Sequence, residues 1–251
     1  MKNFLLLIFN TLTFFGTLFL NYLYGSGAGG RKSVGEISNQ YNTLITPSGY
    51  AFSIWGLIYL LLIGFILFQW ISFFKKEFEK SINPTGIWLG LSNLLNALWI
   101  IVWTKEHLTV SVIVIFALLA SLVKLIFSLR IGERNIKPYA FIGLPIGIYT
   151  GWIIVASVVN LSVWIFSKGW LQAHDVFWTN LVLLVATGIY ILIQLKRDLF
   201  SPTFVGVWAF IAIAVKQWNA EPFVSYFSLA MVLVLLLSVF FNIKNKKWHL
   251  N

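Results

Sequence analysis

Residues 46–59 read TPSGYAFSIWGLIY, and they mark the point where a polar loop passes into a long apolar segment. Phe52, Trp55 and Tyr59 stand at positions i, i+3 and i+7. Because an α-helix has 3.6 residues per turn, the three rings lie on one face of it. Lipid does not require an aromatic stripe, whereas a flat apolar ligand stacks on aromatic rings. The stretch therefore predicts a membrane helix whose aromatic face contacts such a ligand.

The composition places the whole chain in a membrane. Hydrophobic residues make up 59% of the 251 residues and charged residues only 10%, with a mean hydropathy of +0.85. A soluble domain carries about 25% charged residues, and a membrane-spanning helix takes roughly 20 residues. The predicted fold class is an all-α integral membrane protein with about eight transmembrane helices. The predicted spans are 4–23, 49–73, 86–104, 108–129, 138–166, 174–194, 202–218 and 222–242.

Two of these spans have an alternative interpretation. The first, 4–23, resembles a signal peptide, but its apolar run of 20 residues exceeds the usual 7–15, which favours a retained helix. The seventh, 202–218, ends among Lys216, Gln217 and Asn219. A re-entrant or short tilted segment therefore stays open as an alternative there.

The basic residues predict the orientation, because Lys and Arg concentrate in cytoplasmic loops. With the N-terminus inside, thirteen of them fall on the inner side: Lys2, Lys75, Lys76, Lys80, Lys124, Arg130, Arg134, Lys137, Lys196, Arg197, Lys244, Lys246 and Lys247. Five fall outside: Arg31, Lys32, Lys105, Lys168 and Lys216. We therefore expect both termini in the cytoplasm. The membrane that we expect is a bacterial cytoplasmic membrane. The charges form no continuous patch, which argues against nucleic-acid binding.

The reactive side chains give little sign of catalysis. Cys is absent, which excludes thiolate metal sites and cysteine nucleophiles. His107, His174 and His249 have no partner at metal-ligand spacing apart from the adjacent pair His174–Asp175. No predicted span carries Asp or Glu near its middle. We accordingly expect no metal, no cofactor and no catalytic residues.

Two further predicted helices carry aromatic and carboxamide side chains on one face: Asn96, Trp99 and Trp103 on the third, and Trp152, Ala156, Asn160 and Trp164 on the fifth. Each set combines indole N–H donors with an amide. Alternatively, the amides pair with other helices, and Trp side chains anchor at membrane interfaces. Three such stripes on separate helices favour a shared binding site over these readings.

Glycines on the fifth predicted helix suggest where it packs. Gly143, Gly147 and Gly151 form a doubled G-x-x-x-G pattern on a face turned away from Trp152. Small residues at this spacing allow two helix backbones to approach closely in lipid. A different glycine cluster, at 25–30, satisfies G-x-G-x-x-G but follows a membrane helix, not a strand, so we interpret it as the flexible start of a loop over 24–48 that folds across the helix ends.

The chain resembles the tryptophan-rich sensory protein family, also called the translocator protein or peripheral-type benzodiazepine receptor family. The resemblance covers residues 1–166 and rests on 46–55 with Tyr59, on Leu95-Asn96-Ala97-Leu98-Trp99, and on Trp152, Ala156, Asn160 and Trp164. It departs from the family in the loop, where Pro47 stands alone and Tyr50 replaces a Trp. The resemblance implies a five-helix membrane core at 1–166, with three additional helices at 167–251 packed on it.

The resemblance also implies a function: a membrane receptor, sensor or carrier for porphyrin-like tetrapyrroles or other flat hydrophobic molecules, with the loop as a lid. The candidate ligand-binding residues are Trp55, Tyr59, Asn96, Trp99, Trp152, Ala156 and Asn160. One alternative is a small-molecule or lipid transporter. Another is an intramembrane tetrapyrrole-modifying enzyme, for which the sequence offers no acid, base or nucleophile cluster. The oligomeric state stays open.

Overall fold

A computed structural model describes residues 1–41, 43–132 and 139–248, with side chains described as far as residue 244. Arg134, Lys137 and His249 lie outside the described residues. Ten α-helices occur in the described ranges: α1 (Lys2–Leu20), α2 (Val34–Gln40), α3 (Ile54–Phe74), α4 (Ile82–Thr85), α5 (Trp88–Thr104), α6 (Leu108–Ser128), α7 (Gly143–Ser167), α8 (Asp175–Arg197), α9 (Ser201–Gln217) and α10 (Pro222–Trp248).

Eight of these helices are apolar, and each coincides with one predicted span. Six are long and apolar enough to cross a membrane: α1, α3, α6, α7, α8 and α10. The apolar segments of α1 and α3 include adjoining turns, which extend α1 to Gly25 and start α3 at Gly49. The other two, α5 and α9, are apolar but have only 17 residues each. The chain is therefore an all-helical integral membrane protein.

Helix α7 lies at the centre of the bundle and packs against α3, α6, α8 and α9. Its glycine face meets α9: a Cβ on Gly151 would lie 2.8 Å from the Pro202 Cα, and one on Gly147 would lie 2.0 Å from the Ser201 Oγ. The Tyr190 hydroxyl donates to the Gly151 carbonyl oxygen over 2.7 Å. The predicted close packing is thus confirmed for Gly147 and Gly151, with α9 as the partner helix, whereas Gly143 faces the Tyr139 ring and not a second helix.

A polar seam joins α1 to α5. The Thr17 hydroxyl donates to the Asn93 carbonyl oxygen over 2.8 Å, and the Asn21 amide donates to Asn96 Oδ1 over 2.7 Å. Lower on the same face, Asn10 Oδ1 accepts the Gly90 amide over 3.0 Å. Because these groups are buried, the bonds fix the register of the two helices. Helix α1 packs against α3, α4 and α5.

The loop over residues 24–48, called the lid below, is folded in its described part. A capping box starts α2: the Glu36 amide donates to Ser33 Oγ over 3.2 Å, and the Ser33 amide donates to Glu36 Oε2 over 2.6 Å. Val34, Ile37 and Ile45 of the lid are buried in the hydrophobic core. The end of the bundle that carries the lid is called the lid end, and the opposite end, where α1 begins and α3 ends, the basic end.

Candidate functional site

The aromatic residues of three helices meet beneath the lid. The Trp55 indole of α3 stacks on Trp99 of α5, with ring centroids 6.4 Å apart, and presents its edge to Trp152 of α7 at 6.5 Å. Tyr59 also stacks on the Trp55 ring, with centroids 5.6 Å apart, and the Tyr149 ring lies 6.2 Å from it. The three predicted stripes therefore face one another inside the bundle.

Hydrogen bonds hold the Trp99 side of this cluster. The Trp99 Nε1 donates to Asn160 Oδ1 over 2.9 Å, and Asn160 Nδ2 donates to Ser111 Oγ over 2.9 Å. Both ends of the Asn160 carboxamide are thus used within the protein. Asn160 fixes the orientation of the Trp99 ring through this chain of bonds.

Three buried polar groups of the site have no hydrogen-bond partner among the described residues. They are the Trp152 Nε1, the Asn96 Nδ2 and the Tyr59 hydroxyl. The Trp152 and Asn96 side chains are only 2% and 1% exposed. A buried donor that is left unpaired costs about 1–3 kcal/mol. All three groups can donate a hydrogen bond.

The space between the rings is small. An apolar cavity of about 20 Å³ lies between α3, α5, α7 and the lid. Its lining includes five of the seven candidate residues, together with residues of the lid and of the surrounding helices: Val34, Ser38, Pro47, Phe52, Trp55, Trp99, Trp103, Trp152, Val155, Ala156, Val159 and Asn160. This volume is close to that of a single water molecule. The structure therefore has the aromatic site in a closed state.

A much larger groove adjoins this cavity. It has a volume of about 670 Å³ and lies between the end of α1, the lid helix α2 and the start of α3. Val34, Phe52 and Trp55 line both spaces. Phe52 also contacts Trp152 edge to face at 5.7 Å. Phe52 and Trp55 together form the wall between the groove and the cavity.

Contacts on one side tie the lid to α5 and to the turn after it. The Trp103 Nε1 donates to the Val34 carbonyl oxygen over 3.3 Å. Glu106 accepts hydrogen bonds from Gln40 Nε2 over 2.9 Å and from the Tyr41 hydroxyl over 2.8 Å, and it forms an ion pair with Lys32 at 3.4 Å. The bond from Tyr41, with that from Lys32, lowers the pKa of Glu106. Partial burial, with the bond to Glu106, raises the pKa of Tyr41 to about 12.

Contacts on the other side tie the lid to α9. The Lys216 Nζ donates to Asn39 Oδ1 over 2.6 Å, and the Gln217 Nε2 donates to the Leu44 carbonyl oxygen over 2.9 Å. Further along the chain, the Ser48 amide donates to the Ala212 carbonyl oxygen over 3.1 Å. Lid and α9 are therefore joined by three hydrogen bonds.

The candidates fall into two groups. Trp55, Tyr59, Trp99, Trp152 and Ala156 come together around the cavity and its wall. Asn160 also lines the cavity, where it is bonded to Trp99, whereas Asn96 lines neither space and its Oδ1 is bonded to Asn21 in the lining of the groove. Trp164, on the same predicted stripe, lies elsewhere: its Nε1 donates to Thr109 Oγ1 and its ring contacts Trp170.

The seven candidates omit residues that the structure places in the site. Phe52 and Trp103 lie on the predicted stripes, so the sequence contained their signal. Tyr149 stands three residues before Trp152 and shares its helix face, which the glycine pattern around it obscured. Val34 comes from the lid, and nothing in the sequence indicates its contact with Trp103. Among the described residues, no group of three His, Asp or Glu side chains is placed to hold a metal.

A helical membrane bundle with a closed aromatic site beneath a folded loop defines an integral membrane protein built around an intramembrane pocket. The comparisons with known proteins add the family. A model of the TSPO-like protein family matches residues 7–241, so the chain belongs to that family, which is linked to tetrapyrroles and other small hydrophobic ligands. The match continues past residue 166 through the last three apolar helices. No curated protein and no solved structure gives a significant match.

Proposed function

We propose that this protein is a membrane receptor or carrier for flat hydrophobic molecules of the tetrapyrrole class, and that it binds them between Trp55, Trp99 and Trp152. The observation that carries the proposal is the position of Trp55. Its ring borders both the closed cavity and the 670 Å³ groove, and it stacks on Trp99. A planar ligand in the groove therefore reaches the aromatic site by displacing one ring.

Each candidate residue has a role in this proposal. Trp55, Tyr59 and Trp99 offer ring faces to a macrocycle, because aromatic planes associate by offset stacking. The Trp152 Nε1 and Asn96 Nδ2 donate to acceptors on its edge, which gives these buried donors the partners that they lack within the described protein. The other two residues shape the space: Ala156 leaves room on α7, and Asn160 orients Trp99.

Binding without chemical change is the role that this side-chain set supports. The described lining of cavity and groove consists of aromatic, aliphatic, hydroxyl and amide groups, with Glu36 as its one ionisable carboxylate. Glu36 is engaged in the capping box of α2. Acid–base or nucleophilic catalysis requires a second activated group within hydrogen-bond reach, and the described lining offers none.

Titration of the detergent-purified protein with protoporphyrin IX, followed by Trp fluorescence, tests the proposal. Trp152→Phe removes an indole N–H from the site and keeps a ring there. Trp178→Phe on α8 is the matched control, because its Nε1 is bonded to Ser162 away from the cavity. We expect saturable quenching by wild type and by Trp178→Phe, and a Kd about tenfold higher for Trp152→Phe, which corresponds to about 1.4 kcal/mol.

Equal Kd values for the two variants would show that the ligand does not use the Trp152 donor. Quenching that rises linearly with protoporphyrin, without saturation, would mean partition into the detergent micelle and would refute the proposal as a whole.

The arrangement in the membrane belongs to the same proposal. We infer eight spans, because 17 residues of α-helix are the lower limit for crossing the hydrocarbon core and both α5 and α9 reach it. The basic end faces the cytoplasm, in accord with the distribution of Lys and Arg. Residues 1–166 form the ligand-binding core, and the helices within 167–251 pack on its α7 face. Labelling of single cysteines introduced at Lys105 and at Lys75 from either side of the membrane tests this orientation.

A further inference from the structure

A second set of buried polar side chains lies at the basic end, away from the aromatic site. Gln69, Ser72, Ser81 and Thr85 are each at most 1% exposed. Their polar atoms, which are both ends of the Gln69 carboxamide and the three hydroxyl oxygens, have no hydrogen-bond partner among the described residues. Buried polar groups are almost always paired with protein or with ordered water. Four such exceptions lie where the end of α3 packs against α4, which indicates that an occupant pairs with them.

Local structure brings the four residues to one end of the bundle. Gln69 and Ser72 stand three positions apart in the last two turns of α3, so they share a face. The chain reverses directly after them, where the Glu77 amide donates to the Ser72 carbonyl oxygen over 2.8 Å. Ser81 immediately precedes the short helix α4 and Thr85 ends it, and α4 packs against α1, α3 and α6.

The chemistry of these groups identifies the occupant. Each hydroxyl donates one hydrogen bond and accepts others, and the carboxamide has a donor end and an acceptor end. A bare cation would satisfy only the acceptors and leave Gln69 Nε2 unpaired. The four side chains carry no charge, so they offer nothing to neutralise an anion. We propose that they line a hydrated chamber that holds a cluster of water molecules at the basic end of the bundle.

An apolar layer separates this chamber from the ligand site. Tyr59 and Gln69 are ten residues apart on α3, which is about 15 Å along the helix axis. Between them, Leu62, Phe65 and Ile66 are buried at 2%, 0% and 4% exposure. The bundle thus has the aromatic site on one side of this apolar layer and the proposed chamber on the other. The chamber does not depend on the identity of the ligand at the lid end.

Thiol labelling tests the hydration, and the absence of Cys from the chain makes every introduced thiol unique. The full-length variants Ser72→Cys and Thr85→Cys in lipid vesicles are treated with Ag⁺, which travels through water and binds thiolates. Ser121→Cys on α6 is the control, because Ser121 is equally buried but donates to Leu118 and is paired with Ser92. We expect both chamber variants to react at least tenfold faster than the control. Equal rates would overturn the proposal.

A second measurement does not depend on access by a reagent. Gln69→Met keeps the length of the side chain and removes both polar atoms. In a dry chamber, loss of unpaired polar groups raises Tm, whereas in a hydrated one the water loses two partners and Tm falls. We expect a fall of about 2–4 °C. A Tm that stays or rises contradicts the proposal, and the control is the exposed Gln172→Met, which loses one hydrogen bond of 3.5 Å to the Phe166 carbonyl oxygen.

Discussion

The indole of Trp99 lies between two others: Trp55 stacks on it with centroids 6.4 Å apart, and Trp103 stacks on it from the next turn of α5 at 5.8 Å. Only Trp55 of these three is partly exposed, and it borders the groove. A planar ligand that displaces Trp55 would meet the face of Trp99 directly. In the proposed binding mode, the ligand thus takes the place of Trp55 in the ring stack.

The hydrogen bond between Trp99 and Asn160 should be important for stability. Trp99→Phe keeps the ring stack but leaves Asn160 Oδ1 unpaired in a buried position, so we expect a loss of about 1–3 kcal/mol in the free energy of unfolding. Thermal unfolding in detergent measures it. The double variant Trp99→Phe/Asn160→Leu removes both partners, and it should recover part of the loss. Additive losses in this cycle would show that the two residues do not interact.

Phe52 should control the rate of ligand entry. Phe52→Ala removes part of the wall between groove and cavity, so we expect a faster association with protoporphyrin in stopped-flow fluorescence. Association is slower when the protein must change its conformation before the ligand binds. In Phe52→Ala one of the two rings that separate groove and cavity is absent, so a smaller change is needed. Phe240→Ala on α10 is the control, because its exposed ring contacts Phe241 and not the site. An unchanged association rate for Phe52→Ala would place the entry route elsewhere.

Glu106 should hold the lid in a pH-dependent manner. Because its pKa is lowered in the folded protein, its contribution is present above 4.5 and is lost as the pH falls through the folded value. The groups are partly exposed, so we expect at most about 1 kcal/mol, or roughly a fivefold change. Protection factors of the α2 amides in hydrogen exchange measure the opening of the lid at neutral and acid pH.

The variant Glu106→Gln should lower these protection factors at neutral pH and remove most of their acid dependence. Glu77→Gln, which breaks an exposed ion pair with Lys80 at the basic end, should leave them as in wild type. If both variants behave alike, Glu106 does not act on the lid specifically.

The glycine face of α7 should tolerate no side chain. Gly151→Ala places a Cβ at 2.8 Å from the backbone of Pro202, so α9 must move, and we expect a loss of about 1–3 kcal/mol on thermal unfolding. Gly188→Ala on α8 has no atom within 4 Å of the new Cβ and should be neutral or stabilising by up to about 1 kcal/mol. A stable Gly151→Ala would contradict the close contact.

The helices were predictable because the apolar runs and the breaks between them follow from the order of the residues. The boundaries of α5 and α8 lie within three residues of their predictions, whereas α10 continues past 242 to Trp248 because no Gly or Pro interrupts its polar end. The helix α2 was missed, although Ser33 and Glu36 have the spacing of a capping box. The start of α2 was therefore predictable from the sequence, and it was missed because the whole stretch 24–48 was interpreted as a loop.

The helix faces that form the site were predictable, but the contacts between helices and the volume of the cavity were not. Residue spacing assigns Trp55, Trp99 and Trp152 to one face each, and that is sufficient for a common site if the faces meet. Pairing across helices, such as Asn21 with Asn96, depends on the relative register of α1 and α5, which no local pattern specifies. The closed volume of the cavity depends on side-chain rotamers and likewise could not be derived.

The attachment of α9 to both α7 and the lid has a consequence for shortened forms of the protein. A chain that stops after Ser167 loses the groups of Lys216, Gln217 and Ala212 that form hydrogen bonds with the lid. It also exposes the surface around Gly151, which α9 covers in the full chain, to acyl chains. Such a fragment keeps every residue of the aromatic stack, but its lid retains only the contacts with α5 and with the turn after it. Deletion of the last three helices should therefore loosen the lid before it disturbs the ring stack.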